Sequence, residues 1–251
     1  MKKHLVILFS TATLLASCDV LMQAGKMAAT SLIPSNDEVI SGLKEALVNG
    51  VSSGTGNLNK RGAFFTNAAL KILMPQEVRD VEAKIRNNSL LNAAIGGELD
   101  KCIQAMNDGA ENAMAKAFPV FKNAIMSMSI QDAMGILKGG NGAATSYLKS
   151  TTTTALHTAF KPVIKSALDE VKISEYWTPV VTEINKPLAK AVLGIKSDIN
   201  PDLNQYVTEK ATTALFTEIE KEENAIRANP AKRTTEILKK VFNYADSQKG
   251  S

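Results

Sequence analysis

Apolar residues recur at three- and four-residue intervals along nearly the whole chain, and no useful length alternates apolar with polar as a half-buried strand would. The pattern predicts an all-α protein, one domain over residues 35–245 with roughly eight helices. A first helix is capped by Ser35 or Asn36, carries Asp37 and Glu38 in its first turn, and buries Val39, Leu43, Ala46 and Leu47. It is expected to end near Asn49-Gly50, with the Gly-, Ser- and Asn-rich residues 50–62 as a loop. Phe64, Phe65, Ile72 and Leu73 dock on the core, and Pro75 opens a helix with Val78, Val81 and Ile85 inward. From Gly97 a long stripe runs through Leu99, Ile103, Met106, Ala110 and Met114 until Pro119 breaks or bends it. Ser129-Ile130-Gln131-Asp132 is a variant capping box, and Gly139-Gly140 ends the helix it starts. Residues 144–171 hold the clearest helical period, with a kink or boundary expected at 157–161 because Pro162 lies inside it. A shorter helix is expected at 174–185. Asn200-Pro201-Asp202 supplies a cap, a proline at the first helical position and an acid in the first turn; Leu203, Val207, Ala211, Leu215, Ile219 and Ile226 then form one face. Asn229-Pro230 separates that helix from a last one bearing Ile237, Leu238, Val241 and Phe242.

The first eighteen residues follow a different rule. Met1-Lys2-Lys3-His4 is basic, residues 5–16 are apolar, and Leu15-Ala16-Ser17-Cys18 closes the run. About a dozen apolar residues are too few to span a bilayer, which needs roughly 20, so the run reads as a secretory signal. Its end resembles a bacterial lipobox. The resemblance implies that residues 1–17 are a signal peptide with Leu15, Ala16 and Ser17 as the recognition and cleavage positions. It implies further that Cys18 is the lipid attachment site, and that 18–34 tether the domain to a membrane. Asp19 resembles an inner-membrane retention signal of enteric bacteria, a rule that does not hold in all bacteria, so the expected address is the envelope, facing the periplasm, with the choice of membrane open. Residues 246–251 are expected to be a flexible tail.

Composition mainly excludes. The chain has 29 basic and 25 acidic residues; losing Lys2 and Lys3 leaves +2, too near neutral to argue for a nucleic-acid partner. With Cys18 carrying lipid, Cys102 stands alone, which rules out a disulfide framework within one chain. Cys102 shares a stripe with Leu99, Ile103 and Met106 and reads as core. His157 is the only histidine left after cleavage, so a multi-histidine metal site is excluded, and no nucleophile-elbow sequence accompanies it. Lys138-Gly139-Gly140-Asn141-Gly142 has its lysine before the glycines and no strand ahead of it, so it reads as a helix end and turn and not as a phosphate loop. No metal and no cofactor is expected.

Two constellations remain as candidate sites. Methionines crowd residues 106–134, and Met106, Met114 and Met134 are candidates for an apolar pocket between helices, beside the plainer reading of core packing. Acids at Glu218, Glu220, Glu222 and Glu223 precede Arg227, Lys232 and Arg233; Glu223 and Arg227 are an i,i+4 pair. Charge matching between the last two helices is the plain reading, and Glu222, Arg227 and Arg233 are the candidate polar surface.

Several segments carry a family resemblance: residues 41–47, the stretch Asp132-Ala133-Met134-Gly135-Ile136-Leu137-Lys138-Gly139-Gly140, residues 206–211, and above all Ile226-Arg227-Ala228-Asn229-Pro230-Ala231-Lys232-Arg233-Thr234-Thr235. Together they resemble the bacterial domain-of-unknown-function family 4197 over about residues 36–243. The resemblance implies an α-helical envelope protein, commonly a lipoprotein, and supplies no catalytic residue. The expected function is a non-catalytic binding or structural module that contacts another envelope component. A carrier of an apolar ligand such as a lipid is the alternative, and an enzyme comes third.

Overall fold

The computed structural model describes residues 33–249 except 90, 91, 171, 194 and 201. The signal, Cys18 and all but the end of the tether therefore lie outside the described residues. The described residues form an all-α bundle: α1 (Asn36–Leu58), α2 (Gln76–Asn87), a π-helical turn (Asn92–Gly96), α3 (Gly97–Ala113), α4 (Ala117–Met126), α5 (Ile130–Lys138), α6 (Ala143–Glu170), α7 (Ile173–Ile184), α8 (Pro187–Leu193), α9 (Leu203–Ala228) and α10 (Glu236–Lys249). No strand occurs among them. A 3₁₀ turn joins α3 to α4, and Pro119 falls in the first turn of α4, where its missing N–H costs no helical bond.

The long helices α6 and α9 pack on each other, with α3 against α6 and α1 against α9. Leu148, Leu156, Phe160 and Ile164 of α6 meet Val207, Leu215 and Ile219 of α9 in one buried cluster. Phe121 of α4 stands edge-on to Phe216 at 5.8 Å. Burying each such side chain contributes about 1.5–3 kcal/mol. A small second cluster, Val39, Leu137 and Val241, ties α1, α5 and α10 together. Both capping boxes form: Ser35 with Glu38 and Ser129 with Asp132. The Lys240 ammonium holds the Glu38 carboxyl below its usual range, and Ser129 does the same for Asp132.

Four expectations need correction. Helix α1 does not stop at Gly50 but runs to Leu58, because Val51 and Leu58 are buried in the core and Gly54 faces Ile219 of α9. Of the kink or boundary expected at 157–161, the boundary does not occur: helix α6 continues through Pro162, and Phe160 and Ile164 on either side are fully buried, so that their packing outweighs one lost backbone bond. Helix α9 runs from Leu203, and its cap is Asp202 where Asn200 is expected; the Asp202 carboxylate accepts from the N–H groups of Asn204 (3.0 Å) and Gln205 (3.3 Å). Helix α10 runs through Lys249, so 246–249 is helix where a tail is expected.

Candidate functional site

Helix α5 ends at Lys138 and α6 starts at Ala143, so a helix C-terminus and a helix N-terminus lie side by side around the turn at 139–142. Each exposes backbone groups with no partner inside its own helix. Gly142 makes the turn at φ +75°, a conformation that favours glycine. Residues of α9 satisfy both ends. Glu223 accepts from the N–H groups of Ala144 (3.0 Å) and Thr145 (2.9 Å) and from the Thr145 hydroxyl (2.8 Å). Arg227 donates to the carbonyls of Ile136 (2.9 Å) and Gly139 (3.2 Å). The two side chains also pair with each other, Arg227 Nε to Glu223 Oε1 at 2.9 Å. The anion sits at the positive end of α6 and the cation at the negative end of α5, the arrangement that helix dipoles favour.

Arg233 repeats the device at the end of α9. It donates to the carbonyls of Ile226 (3.3 Å) and Arg227 (2.9 Å), then reaches Asn243 and Asp246 of α10, each at 2.7 Å. Only 2% of Arg233 is exposed. Lys44 of α1 does likewise for α4, donating to Met126 O at 2.8 Å. The structure thus brings Arg227 and Arg233 together through one backbone carbonyl, but in the interior. They do not form a polar surface with Glu222, which is half-buried; the carboxylate that meets Arg227 is Glu223.

The methionine candidates do not share a pocket. Met106 and Met114 lie in the main core at 0% and 1% exposure, whereas half-buried Met134 packs against the small second cluster. Cys102 is buried on the same α3 stripe, and burial pushes its thiol up to about 12. Two polar side chains of α3 that sequence reasoning passed over anchor the irregular stretch at 59–75. Glu111 accepts from the N–H groups of Gly62 (2.9 Å) and Phe64 (3.0 Å). The Asn107 amide clamps Ile72, accepting from its N–H and donating to its carbonyl, both at 2.9 Å. Their signal was a polar pair at i,i+4 beside an apolar stripe.

Open space is found on the outer side of α9, where two clefts flank one ridge. The first, about 450 Å³, lies between α6 and α9 and is lined by threonines together with Lys149, His157, Glu209 and Glu220. The second, about 370 Å³, lies between α9 and residues 69–79 and has Lys71, Arg79, Tyr206, Lys210 and Lys221 in its walls. Thr213 and Thr217 border both. Half of this site was legible: Lys210, Thr213, Thr217 and Lys221 are spaced three and four apart and share a face of α9. The other half, Lys71 and Arg79, comes from a segment more than a hundred residues earlier. Among the described residues no group of three or more His, Cys, Asp or Glu side chains is placed to hold a metal ion, and no helix is long and apolar enough to cross a membrane.

One family sequence model, described as a protein of unknown function (DUF4197), matches residues 33–243, which span all ten helices but the last few residues of α10. No curated protein and no solved structure matches the chain.

Proposed function

We infer, for a chain that belongs to the DUF4197 family of proteins of unknown function, that it is a lipid-anchored, periplasm-facing module that works by binding and not by catalysis, with the outer ridge of α9 as its working face. One observation carries the reading. The buried ionic groups Glu111, Glu223, Arg227 and Arg233 are each committed to backbone groups at turns and helix ends, while two open clefts with charged walls, of about 450 and 370 Å³, share the ridge of α9 at Thr213 and Thr217. A catalytic acid or base needs a perturbed group that faces a substrate; these groups face the protein's own backbone. The anchor rests on Leu15-Ala16-Ser17-Cys18 and the basic, apolar run before it. The carrier reading is weaker, because Met106 and Met114 are packed inside the core.

The test is photo-crosslinking in intact cells. A photoreactive residue at Thr217, which borders both clefts, is expected to give a discrete envelope adduct, and the same residue at exposed Lys122 on α4 is not. Cys18→Ser is expected to release the protein from the membrane fraction and weaken that adduct. Equal adducts from both positions, or none from Thr217, would overturn the assignment of this face.

A further inference from the structure

The cleft between α9 and residues 69–79 is walled by Lys71, Arg79, Lys210 and Lys221 and by no carboxylate. The chain as a whole is nearly balanced, with 29 basic and 25 acidic residues, so this excess is local. The cations are positioned, and among the described residues only Lys221 of the four is ion-paired. Lys71 lies 3.9 Å over the Phe65 ring and Lys210 5.6 Å over the Tyr206 ring. Lys221 pairs with Glu218, which lies outside the lining, and Arg79 makes no ion pair among the described residues.

The walls are fixed. Asn107 clamps Ile72 at both its backbone groups, and the Tyr206 hydroxyl donates to Leu73 O at 2.9 Å. The hydroxyls of Thr213 and Thr217 donate to the carbonyls of Glu209 and Thr213, so they present lone pairs, not protons, to the cleft. The donors free to meet a ligand are therefore ammonium and guanidinium groups, and these select an anion. Several cations around one cleft exceed what a single carboxylate balances; an arginine fork beside lysine point charges suits phosphoryl oxygens. Beside the charges lie Leu73, 42% exposed, and the Tyr206 ring, an apolar surface that bare phosphate does not use. A volume of about 370 Å³ suits a small organic ligand.

We propose that this cleft binds a phosphoryl-bearing organic anion, its phosphoryl group held by Arg79, Lys210 and Lys221 and its organic part laid against Leu73 and Tyr206. The ligand is either a soluble phosphate ester or a phospholipid headgroup. The inference deepens the binding reading by naming the ligand class of one cleft. It rests on that reading only for taking the outer face of α9 as the working surface.

Lysine footprinting tests it. The full chain, in non-ionic detergent, is acylated with limiting reagent, and modification at each lysine is read by peptide mass spectrometry. The probes are sn-glycerol 3-phosphate and, separately, phosphatidylglycerol in mixed micelles. Lys210 and Lys221 are expected to be protected saturably, about fivefold or more when ligand exceeds its Kd several times, with exposed Lys122 and Lys165 unchanged. Arg79→Gln is expected to abolish the protection and Arg79→Lys to keep part of it. Protection by the soluble ester supports the proposal with a soluble ligand, and protection by phosphatidylglycerol alone supports it with a headgroup. Equal protection at Lys122 and Lys165, no protection by either probe, or undiminished protection in Arg79→Gln would overturn it. The binding reading fails separately, through a missing adduct at Thr217, because the footprint requires no protein partner.

Discussion

Replacing Glu223 by Gln separates the charge of the buried Glu223–Arg227 pair from its shape. The glutamate accepts from two backbone N–H groups, one hydroxyl and the Arg227 guanidinium, all at 2.8–3.0 Å. A glutamine keeps one acceptor oxygen and turns an NH₂ group toward donors, so at least one of these contacts becomes donor against donor. Hydrogen bonds to a charged group are worth about 1.5–3 kcal/mol each, and leaving one member of a buried pair without its counter-ion costs about 3–5 kcal/mol. Glu223→Gln is therefore expected to lose about 3–4 kcal/mol, or about 10 °C in Tm at the 2–4 °C per kcal/mol usual for a domain of this size. Arg227→Met leaves Glu223 its three donors on α6 but no counter-ion, and removes the donors to Ile136 O and Gly139 O, an expected loss of about 3–4 kcal/mol. The double variant no longer carries an unpaired guanidinium, so its loss is expected to fall short of the sum by about 2 kcal/mol. Urea unfolding followed by far-UV circular dichroism measures all four proteins, with unchanged m-values as the check that the transitions are comparable. Additive losses, or a Glu223→Gln loss below about 1 kcal/mol, would refute the claim that the two charges work as a unit at the α5–α6 turn.

Three further outcomes are expected. Cys102 is buried and its thiol is pushed from an ordinary 9.0 up to about 12; it should resist a thiol reagent in the native protein and react fully in denaturant. Between those two values the unfolded chain loses a proton that the folded chain retains, so this thiol withdraws stability as pH rises above 9. Cys102→Ala is expected to lose that contribution and gain on the parent, by up to about 1.4 kcal/mol per pH unit, in unfolding measured at pH 8 and pH 10; equal changes in both proteins would count against it. Gly42 lets α1 meet α10, and a Cβ there falls 2.8 Å from Val241 Cγ2 and 3.3 Å from Ile237 O; Gly42→Ala should cost about 1–3 kcal/mol, whereas Gly56→Ala, exposed on the same helix with nothing within 4 Å, should gain about 0.5–1 kcal/mol. Asn107→Leu strips both partners from the buried Ile72 backbone and should cost about 2–3 kcal/mol by the same unfolding assay; it should also lower anion protection at Lys210, because it frees one wall of the cleft.

The helical period located the buried faces because it depends only on which residues avoid water; Leu99, Ile103, Met106 and Met114 are buried as that period requires. It misjudged ends and breaks, where tertiary packing competes with local preference. Gly50 and Gly54 look like a loop in sequence, yet both are buried and the helix continues through them, because Val51 and Leu58 beside them belong to the core. Pro162 looks like a kink or a boundary, and it is no boundary, because Phe160 and Ile164 hold both sides of it in one core. The candidate polar site failed for a related reason. Hydropathy places arginine at the surface, and nothing local reveals that three helix ends converge on Glu223, Arg227 and Arg233. The i,i+4 spacing of Glu223 and Arg227 did expose their pairing, because that contact lies within one helix.

The need to satisfy backbone groups at helix ends links the interior to the proposed working face. The chain is rich in alanine and sparse in large aromatics, so its helices pack closely and several of their ends are drawn into or against the core, where water cannot satisfy them. Long side chains reach these ends instead: Arg227 of α9 to α5, Glu223 of α9 to α6, and Arg233, from the turn before α10, to α9. Each such bond fixes both the side chain and the helix end it serves, which spends the interior charges on rigidity. The basic cleft inherits that rigidity through Asn107 and Tyr206 while keeping its own cations at the solvent edge. A fixed frame with solvated charges lowers the ordering cost of binding and leaves recognition to electrostatics, which salt then modulates. If the phosphoryl proposal holds, protection at Lys210 should weaken steeply as ionic strength rises, while the fold, held by its core and by the buried Glu223–Arg227 pair, should hold at the same salt.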